Sequence, residues 1–350
     1  MKLRFVSDTH LGLQRQSHTT PDSAKRMQAC LHSAAMDATE PQEGAIVICA
    51  GDLFDKYSNS ERVIRQGFDV AKRCHYVLAG NHDCSNRTDT MSSLELVAES
   101  LGEEYETVFV TGGCYGQRYP ESALYFVPHQ MSQDDFVGEL KVAARFAETH
   151  ADSDLKILVT HCNYDNPLTE KSESSLNLTR EAAEKLLMTF DFIFLGHEHN
   201  PRMDFDGRLV VLGSLMPTSF SDISDKVVWE LDTNGIHRLS SKPVWYKSLG
   251  YKDFDWTDIE PDLFEGYDRL QFLNITETAA PSQMPEVAKL IQQCWGNGPY
   301  LLMVRNSVVV EGEEFVPVCD SHKHVNVVDR VREELKGTEM GVRFEGYVPL

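Results

Sequence analysis

At 350 residues with a formal net charge of −21, the chain lacks the basic excess of a protein that grips nucleic acid by its own surface. A hydrophobic content of 41% and a charged content of 25% fit a water-soluble globular chain, long enough for one large core and a second small unit. There is no apolar run of membrane length and no signal segment, and the 8 cysteines are scattered without a CxxC pair, so a cytoplasmic protein with reduced thiols and no membrane contact is expected.

Residues 2–6 form a short apolar run that stops at Ser7-Asp8-Thr9-His10. Apolar Ala24, Met27, Leu31 and Ala35 give 22–36 a helical stripe after a Pro-Asp-Ser start. The run 45–50 is almost wholly apolar and ends at Gly51-Asp52-Leu53-Phe54-Asp55. A second helix begins at Ser60, with Val63, Ile64, Phe68 and Ala71 on one face. Strand 75–79 ends at Gly80-Asn81-His82-Asp83, and helix 91–101 follows with Leu94, Val97, Ala98 and Leu101. Strand 123–128 leads to helix 132–150, in which Phe136, Leu140, Ala144 and Ala147 are spaced for burial. Strand 155–159 ends at Thr160-His161, and strand 192–195 at Gly196-His197-Glu198-His199. Residues 208–212 and 226–231 read as hairpin strands of a second sheet. The pattern changes near 240–251; strand 268–275, helix 285–295, strand 300–305 and helix 325–336 then suggest a small α+β unit.

Five motifs therefore follow predicted strands, and together they supply carboxylates, imidazoles and one side-chain amide. Such hard and borderline donors suit a pair of divalent ions, and paired ions suit phosphate-ester hydrolysis. Continuous apolar runs read as strands buried on both faces, so ligands at their carboxyl ends would meet in one crevice. Asp8 and His10, like His197 and His199, lie two apart and can face the same side. Asp52 and Asp55 lie three apart in a turn, so one can bind metal while the other reaches a neighbour. Gly51, Gly80 and Gly196 are expected to let the backbone turn sharply beneath the ions. The mixed imidazole and carboxylate shell suits manganese, iron or zinc better than magnesium.

The set DTHLG (8–12), GDLFD (51–55), GNHD (80–83), His161 and GHEH (196–199) resembles the calcineurin-like metallophosphoesterases. Within them it is most similar to the SbcD nucleases, relatives of the meiotic-recombination-eleven nuclease. That narrower likeness rests on Leu11-Gly12, on GDLFD, and on Leu212-Gly213-Ser214-Leu215-Met216-Pro217-Thr218-Ser219-Phe220. It covers residues 1–240 well and the remainder only by position and length. The resemblance implies a four-layer α/β sandwich, two mixed sheets flanked by helices, over 1–245, with a small α+β capping domain over 246–350. It implies one metal held by Asp8, His10 and His199, another by Asn81, His161 and His197, and Asp52 bridging. His82 would give a proton to the leaving oxygen, with Asp55 as the partner that orients it. Manganese is the metal the family favours. The family also implies an SbcC-like coiled-coil ATPase as partner, and a homodimer through helices near 60–74 and 91–101; the alternative is that those helices only cover the sheet.

The leading function is thus a two-metal DNA nuclease, an exonuclease with endonuclease activity as a second mode, in a bacterial or phage-infected cell. A metallophosphoesterase acting on small phosphodiesters such as cyclic nucleotides is the alternative, and a non-catalytic interaction module the third reading. The acidic charge leaves three routes: a partner that grips DNA, a small substrate, or a local basic cluster for which Arg15, Arg62, Arg65 and Arg87 are candidates. No GxxxxGK[ST] occurs, so no P-loop of its own is expected.

Overall fold

The computed structural model describes residues 1–13, 21–84, 91–150, 155–166, 176–222, 225–240, 245–254, 271–296 and 303–311. The chain first lays down four parallel strands, β1 (Lys2–Val6), β2 (Ala45–Cys49), β3 (Tyr76–Leu78) and β4 (Val108–Val110). Helices α1 (Pro21–Ala38), α2 (Glu61–Ala71) and α3 (Ser93–Leu101) connect them. It then builds a second sheet from β5 (Tyr115–Tyr119), β6 (Ser122–Val127), β7 (Leu155–His161), β10 (Phe192–Gly196), β11 (Arg202–Asp204) and β12 (Leu209–Val211). Helices α4 (Gln133–Glu148) and α5 (Arg180–Leu186) belong to this half, and a short ladder joins β8 (Asn163–Tyr164) to β9 (Asn177–Leu178). Finally β13 (Val227–Asp232) returns to the first sheet antiparallel to β1, and β14 (Gly235–Ser240) hairpins onto it.

The two six-stranded sheets run in the orders β14-β13-β1-β2-β3-β4 and β11-β12-β10-β7-β6-β5. Their inner faces share one apolar cluster that includes Leu3, Phe5, Ile48, Leu78, Phe126, Ile157, Val159 and Phe194. Phe5 and Phe194 stack across it with centroids 3.8 Å apart. The outer face of the first sheet packs on residues of α1, α2 and α3, and that of the second on residues of α4 and α5. Both faces of each central strand are thus covered, which is why the strands read as mostly apolar runs; all six residues of β6 are buried. The result is a helix–sheet–sheet–helix sandwich of mixed sheets, as expected.

Several sequence expectations change in detail. Residues 208–212 and 226–231 are not hairpin partners: β12 runs parallel to β10 in the second sheet, while β13 lies against β1 in the first. Each instead has its own hairpin neighbour, β11 and β14 respectively. The five motif strands divide between the sheets, β1 to β3 in one and β7 and β10 in the other. On α4 Phe136, Leu140 and Ala147 are buried as expected, but the other buried small residue is Ala143, with Ala144 only partly covered. Ser92 caps α3 in a reciprocal capping box with Glu95, which explains why the helix starts after 92 and not at 91. Val63, Ala71, Leu94, Val97 and Leu101 of α2 and α3 are buried in the first sheet's outer core.

Beyond the sandwich, β15 (Trp245–Gly250), β16 (Gln271–Thr276) and β18 (Met303–Asn306) form a parallel sheet, ordered β15-β16-β18, beside α6 (Met284–Gly296). Two-residue strands β17 (Thr278–Ala279) and β19 (Val309–Val310) pair alongside. Leu273, Ile275, Val287, Ile291 and Val304 form a separate apolar cluster there. Phe272 belongs to the first sheet's outer core and meets Phe220 edge-on with centroids 5.3 Å apart. The helix expected at 325–336 lies outside the described residues. No helix among the described residues is long and apolar enough to cross a membrane.

Candidate metal centre

The first two motif loops continue as paired backbone beyond the ends of β1 and β2. The Asp8 N–H donates to the Gly51 carbonyl at 3.1 Å, His10 to Asp52 at 3.1 Å, Leu11 to Leu53 at 3.0 Å, and Asp55 back to Leu11 at 3.0 Å. Asp8, His10, Asp52 and His197 all take positive φ, at 51°, 45°, 52° and 94°. Each such non-glycine conformation costs on the order of 1–3 kcal/mol and persists only where its surroundings over-determine it. Of the three motif glycines only Gly51 makes a left-handed turn, at φ 101°. Gly80 and Gly196 are required for room instead, since a Cβ at 80 would stand 2.1 Å from Asp52 Oδ1 and one at 196 would stand 2.2 Å from the Ala50 carbonyl.

The donor atoms converge in three overlapping groups: Asp8, His10 and His199; His10, Asp52 and His82; and Asp52, His161 and His197. His10 Nε2 lies 3.0 Å from His199 Nε2 and 3.9 Å from Asp8 Oδ1. Asp52 Oδ2 lies 3.4 Å from His161 Nε2 and 3.9 Å from His10 Nε2, which puts it between the two halves. Asn81 Oδ1 completes the second half, 3.1 Å from His161 Nε2 and 2.8 Å from His197 Nδ1.

Proton positions follow from the partners. His161 Nδ1 lies 2.8 Å from the Ala50 carbonyl, which can only accept, so Nδ1 carries a proton and Nε2 faces inward. His10 Nδ1 lies 3.3 Å from the Asp55 carboxylate without a hydrogen bond, and its Nε2 faces inward, 3.0 Å from His199 Nε2. Asp8 Oδ2 accepts the His197 N–H at 3.0 Å, while Asp8 Oδ1 is buried with no hydrogen-bond partner among the described residues. Lone pairs crowded at such distances in a buried cleft repel one another unless a cation lies between them. The donor set therefore fits divalent ions: Asp8, His10 and His199 can hold one, Asn81, His161 and His197 a second, with Asp52 shared.

The proton affinities of these side chains reflect the same crowding. Burial alone would push His161 down, but the Asp52 carboxylate, with Asp8 behind it, raises it to about 9. Burial, reinforced by His161, lowers His197 to about 3. Asp52 is also opposed by burial, yet His161, His10 and His82 hold it well below the ordinary carboxylate range.

His82 sits at the half-exposed rim. Its backbone N–H donates to Asp52 Oδ1 at 2.9 Å, and its ring meets His10 edge-on with centroids 5.0 Å apart. The expected Asp55 contact is made by a different group: His82 Nδ1 bonds to the Asp55 main-chain carbonyl at 2.6 Å, while the Asp55 carboxylate lies against His10. The pairing of Leu11 with Phe54 and Asp55 draws that side chain towards the first motif loop. The proton is thus fixed on His82 Nδ1, and Nε2 is left for the cleft.

Two further residues had no assigned role in the sequence. Asp83 is 2% exposed, and its carboxyl accepts the N–H groups of Leu53, Phe54 and Gly80 at 3.0–3.2 Å, tying the second motif turn to the third. Burial and then the Asp52 charge raise it to about 7. His129 stands just past β6, its N–H bonded to the Ala79 carbonyl at 2.9 Å. Burial, with His161 adding to it, lowers it to about 4. The available signal was the same as for the motifs, a polar residue where the apolar run 123–128 stops. Arg62 and Arg65 are exposed on α2, and Arg15 and Arg87 lie outside the described residues.

A family model described as calcineurin-like phosphoesterase matches residues 1–201. Among solved structures, the phosphopantetheinyl hydrolase PptH from Mycobacterium tuberculosis is similar at 14% identity and a TM-score of 0.40, over 61% of this chain and 89% of that one. The Haemophilus influenzae NAD nucleotidase NadN is similar at 10% identity and a TM-score of 0.33, over 72% of this chain and 51% of that one, so this chain spans about half the length of the nucleotidase.

Proposed function

This chain belongs to the calcineurin-like phosphoesterase family of metal-dependent phosphoester hydrolases, and from that membership we propose that it is a two-metal DNA nuclease of the SbcD type. The observation that carries the reading is the convergence of Asp8, His10, Asp52, Asn81, His161, His197 and His199 on one cleft, with imidazole lone pairs aimed at one another. Divalent ions bound there, manganese foremost, supply positive charge to a phosphodiester and acidify water. The chain's own residues do the rest. His10 lies against the Asp55 carboxylate and His161 Nδ1 donates to the Ala50 carbonyl, and each presents Nε2. His82 gives its Nδ1–H to the Asp55 carbonyl and turns Nε2 to the cleft; in the imidazolium form it passes the Nε2 proton to the departing ester oxygen and is left as the neutral Nδ1–H ring.

DNA as the substrate is supported by the 213–220 segment beside His199 and by the packing of Phe220 on Phe272 of the C-terminal unit, which would cap the cleft. Such a substrate goes with a cytoplasmic setting. With a formal charge of −21, the grip on DNA is assigned to a partner, an SbcC-like coiled-coil ATPase, and to a homodimer through the helices near 60–74 and 91–101.

One observation favours the second reading, hydrolysis of a small phosphodiester. Arg202 is paired with Glu198 of the last motif and Arg180 with Asp204, so neither arginine offers an unmatched charge to a polyanion. The deciding assay incubates the full chain and manganese with blunt duplex DNA, with and without the ATPase, beside a small diester. Manganese-dependent loss of duplex is expected. Cleavage of the small diester with intact duplex under every condition would overturn the nuclease.

A further inference from the structure

His199 differs from the other imidazoles of the centre in what stands behind it. Its Nδ1 lies 2.9 Å from Thr218 Oγ1 and 3.4 Å from Asp222 Oδ2. The Thr218 hydroxyl also lies 3.0 Å from Asp222 Oδ2, and its amide N–H donates to the same oxygen at 2.6 Å. A carboxylate only accepts, so the single Thr218 hydroxyl proton points at Asp222. Thr218 Oγ1 then turns a lone pair on His199, and Nδ1 must carry the proton. Asp222 is held for this duty. Its side chain is 7% exposed, Ser219 Oγ donates to Oδ1 at 3.1 Å, and Lys226 Nζ lies 3.9 Å from Oδ2. That ammonium is wholly buried and donates to the His199 carbonyl at 2.7 Å, so one cation steadies both the carboxylate and the histidine backbone.

We propose that Asp222, acting through Thr218, is the positioning residue that fixes the proton on His199 Nδ1 and presents Nε2 to the ion shared with Asp8 and His10. The inference rests on the reading that those three residues hold a divalent ion. It makes that half of the centre dependent on the 213–226 segment, whereas in the other half His161 is oriented by the Ala50 carbonyl and His197 Nδ1 faces Asn81 Oδ1, groups that lie outside that segment. A carboxylate that orients a metal-bound histidine typically changes affinity by roughly 10–100-fold when removed.

The test uses the full chain stripped of metal by chelation. Nitrogen-15 shifts of the His199 ring report which nitrogen is protonated, and manganese titration by calorimetry reports stoichiometry and affinity. The wild type is expected to show the Nδ1–H form and two ions per chain. Asp222→Ala is expected to mix the tautomers and weaken one ion by roughly 10–100-fold, leaving the other unchanged. Asp222→Glu is expected to restore much of the loss. Asp225→Asn removes the same charge from an exposed site paired with Arg238 and is expected to change neither readout. An Nε2–H tautomer in the wild type would overturn the proposal without any variant, as would two ions of unchanged affinity in Asp222→Ala. Absence of manganese binding in the wild type would instead overturn the metal reading beneath it.

Discussion

Gly80→Ala isolates the closest approach in the centre. The new Cβ would lie 2.1 Å from Asp52 Oδ1, 2.3 Å from the Asp52 amide nitrogen and 2.8 Å from Asp52 Cγ, where ordinary contact begins at 3.4 Å. One of those atoms is backbone, and the carboxylate is pinned by the His82 N–H at 2.9 Å, so neither can swing aside cheaply. Overpacking of this kind costs about 1–3 kcal/mol, and loss of a hydrogen bond to a charged group about 1.5–3 more. A total of about 2.5–6 kcal/mol would lower the melting temperature by about 5–24 °C at roughly 2–4 °C per kcal/mol. Because Asp52 sits between both donor sets, manganese affinity should fall at both. Gly112→Ala is the control, as nothing lies within 4 Å of its Cβ. Differential scanning calorimetry with and without manganese reads both effects. A Gly80→Ala protein with wild-type melting and two tightly bound ions would refute the steric reasoning.

Gly138 is exposed inside α4 with nothing within 4 Å of a new Cβ, so Gly138→Ala should stabilise by about 0.5–1 kcal/mol in chemical denaturation. Glu230 accepts from Arg4 at 2.6 Å and Lys2 at 2.7 Å, and although burial opposes ionisation these partners hold its carboxyl below the ordinary range. Its contribution is therefore present above pH 4.5 and lost as pH falls through the lowered value, so Glu230→Gln should cost about 3 kcal/mol at neutral pH and show a shallower acid loss in urea titrations. Metal must displace the proton that His161 holds up to about pH 9, so manganese affinity should rise with pH between 6.5 and 9 and then level off in calorimetric titrations. In the metal-free protein the sign is opposite: stability from that proton is full below pH 6.5 and fades as pH rises through about 9. His82→Ala should keep both ions yet lose most turnover, roughly 10²–10⁴-fold, whereas Asp55→Ala should weaken the ion held by His10; equal metal loss in both would refute the separate roles.

The sandwich was legible because its central strands are covered on both faces and so are mostly apolar, with Arg4 of β1 the buried exception, and because each motif begins where such a run stops. The pairing of 209–211 and 227–232 was not, since two short apolar strands near in sequence look like a hairpin unless the crossing between sheets is known. That carboxylates and imidazoles would gather in one cleft could be read from residue type and position after the strands, while their division between two ions came from the family resemblance. The partner of His82 could not, because the bond comes from the main chain of Asp55 and any residue there offers a carbonyl. Asp222 and Lys226 were hidden for a similar reason: they stand 23 and 27 residues beyond His199, and only the return of the chain after β11 and β12 brings them behind it.

Asp8, His10, Asp52, Asn81, His161, His197 and His199 form a centre that fits two divalent ions. Manganese titration of the chelated, folded full chain tests it most directly. Two saturable ions per chain are expected, one of them lost in Asn81→Ala and the other in His10→Ala. A folded wild-type chain that binds no ion, or an Asn81→Ala, His10→Ala double variant that still binds two, would contradict it.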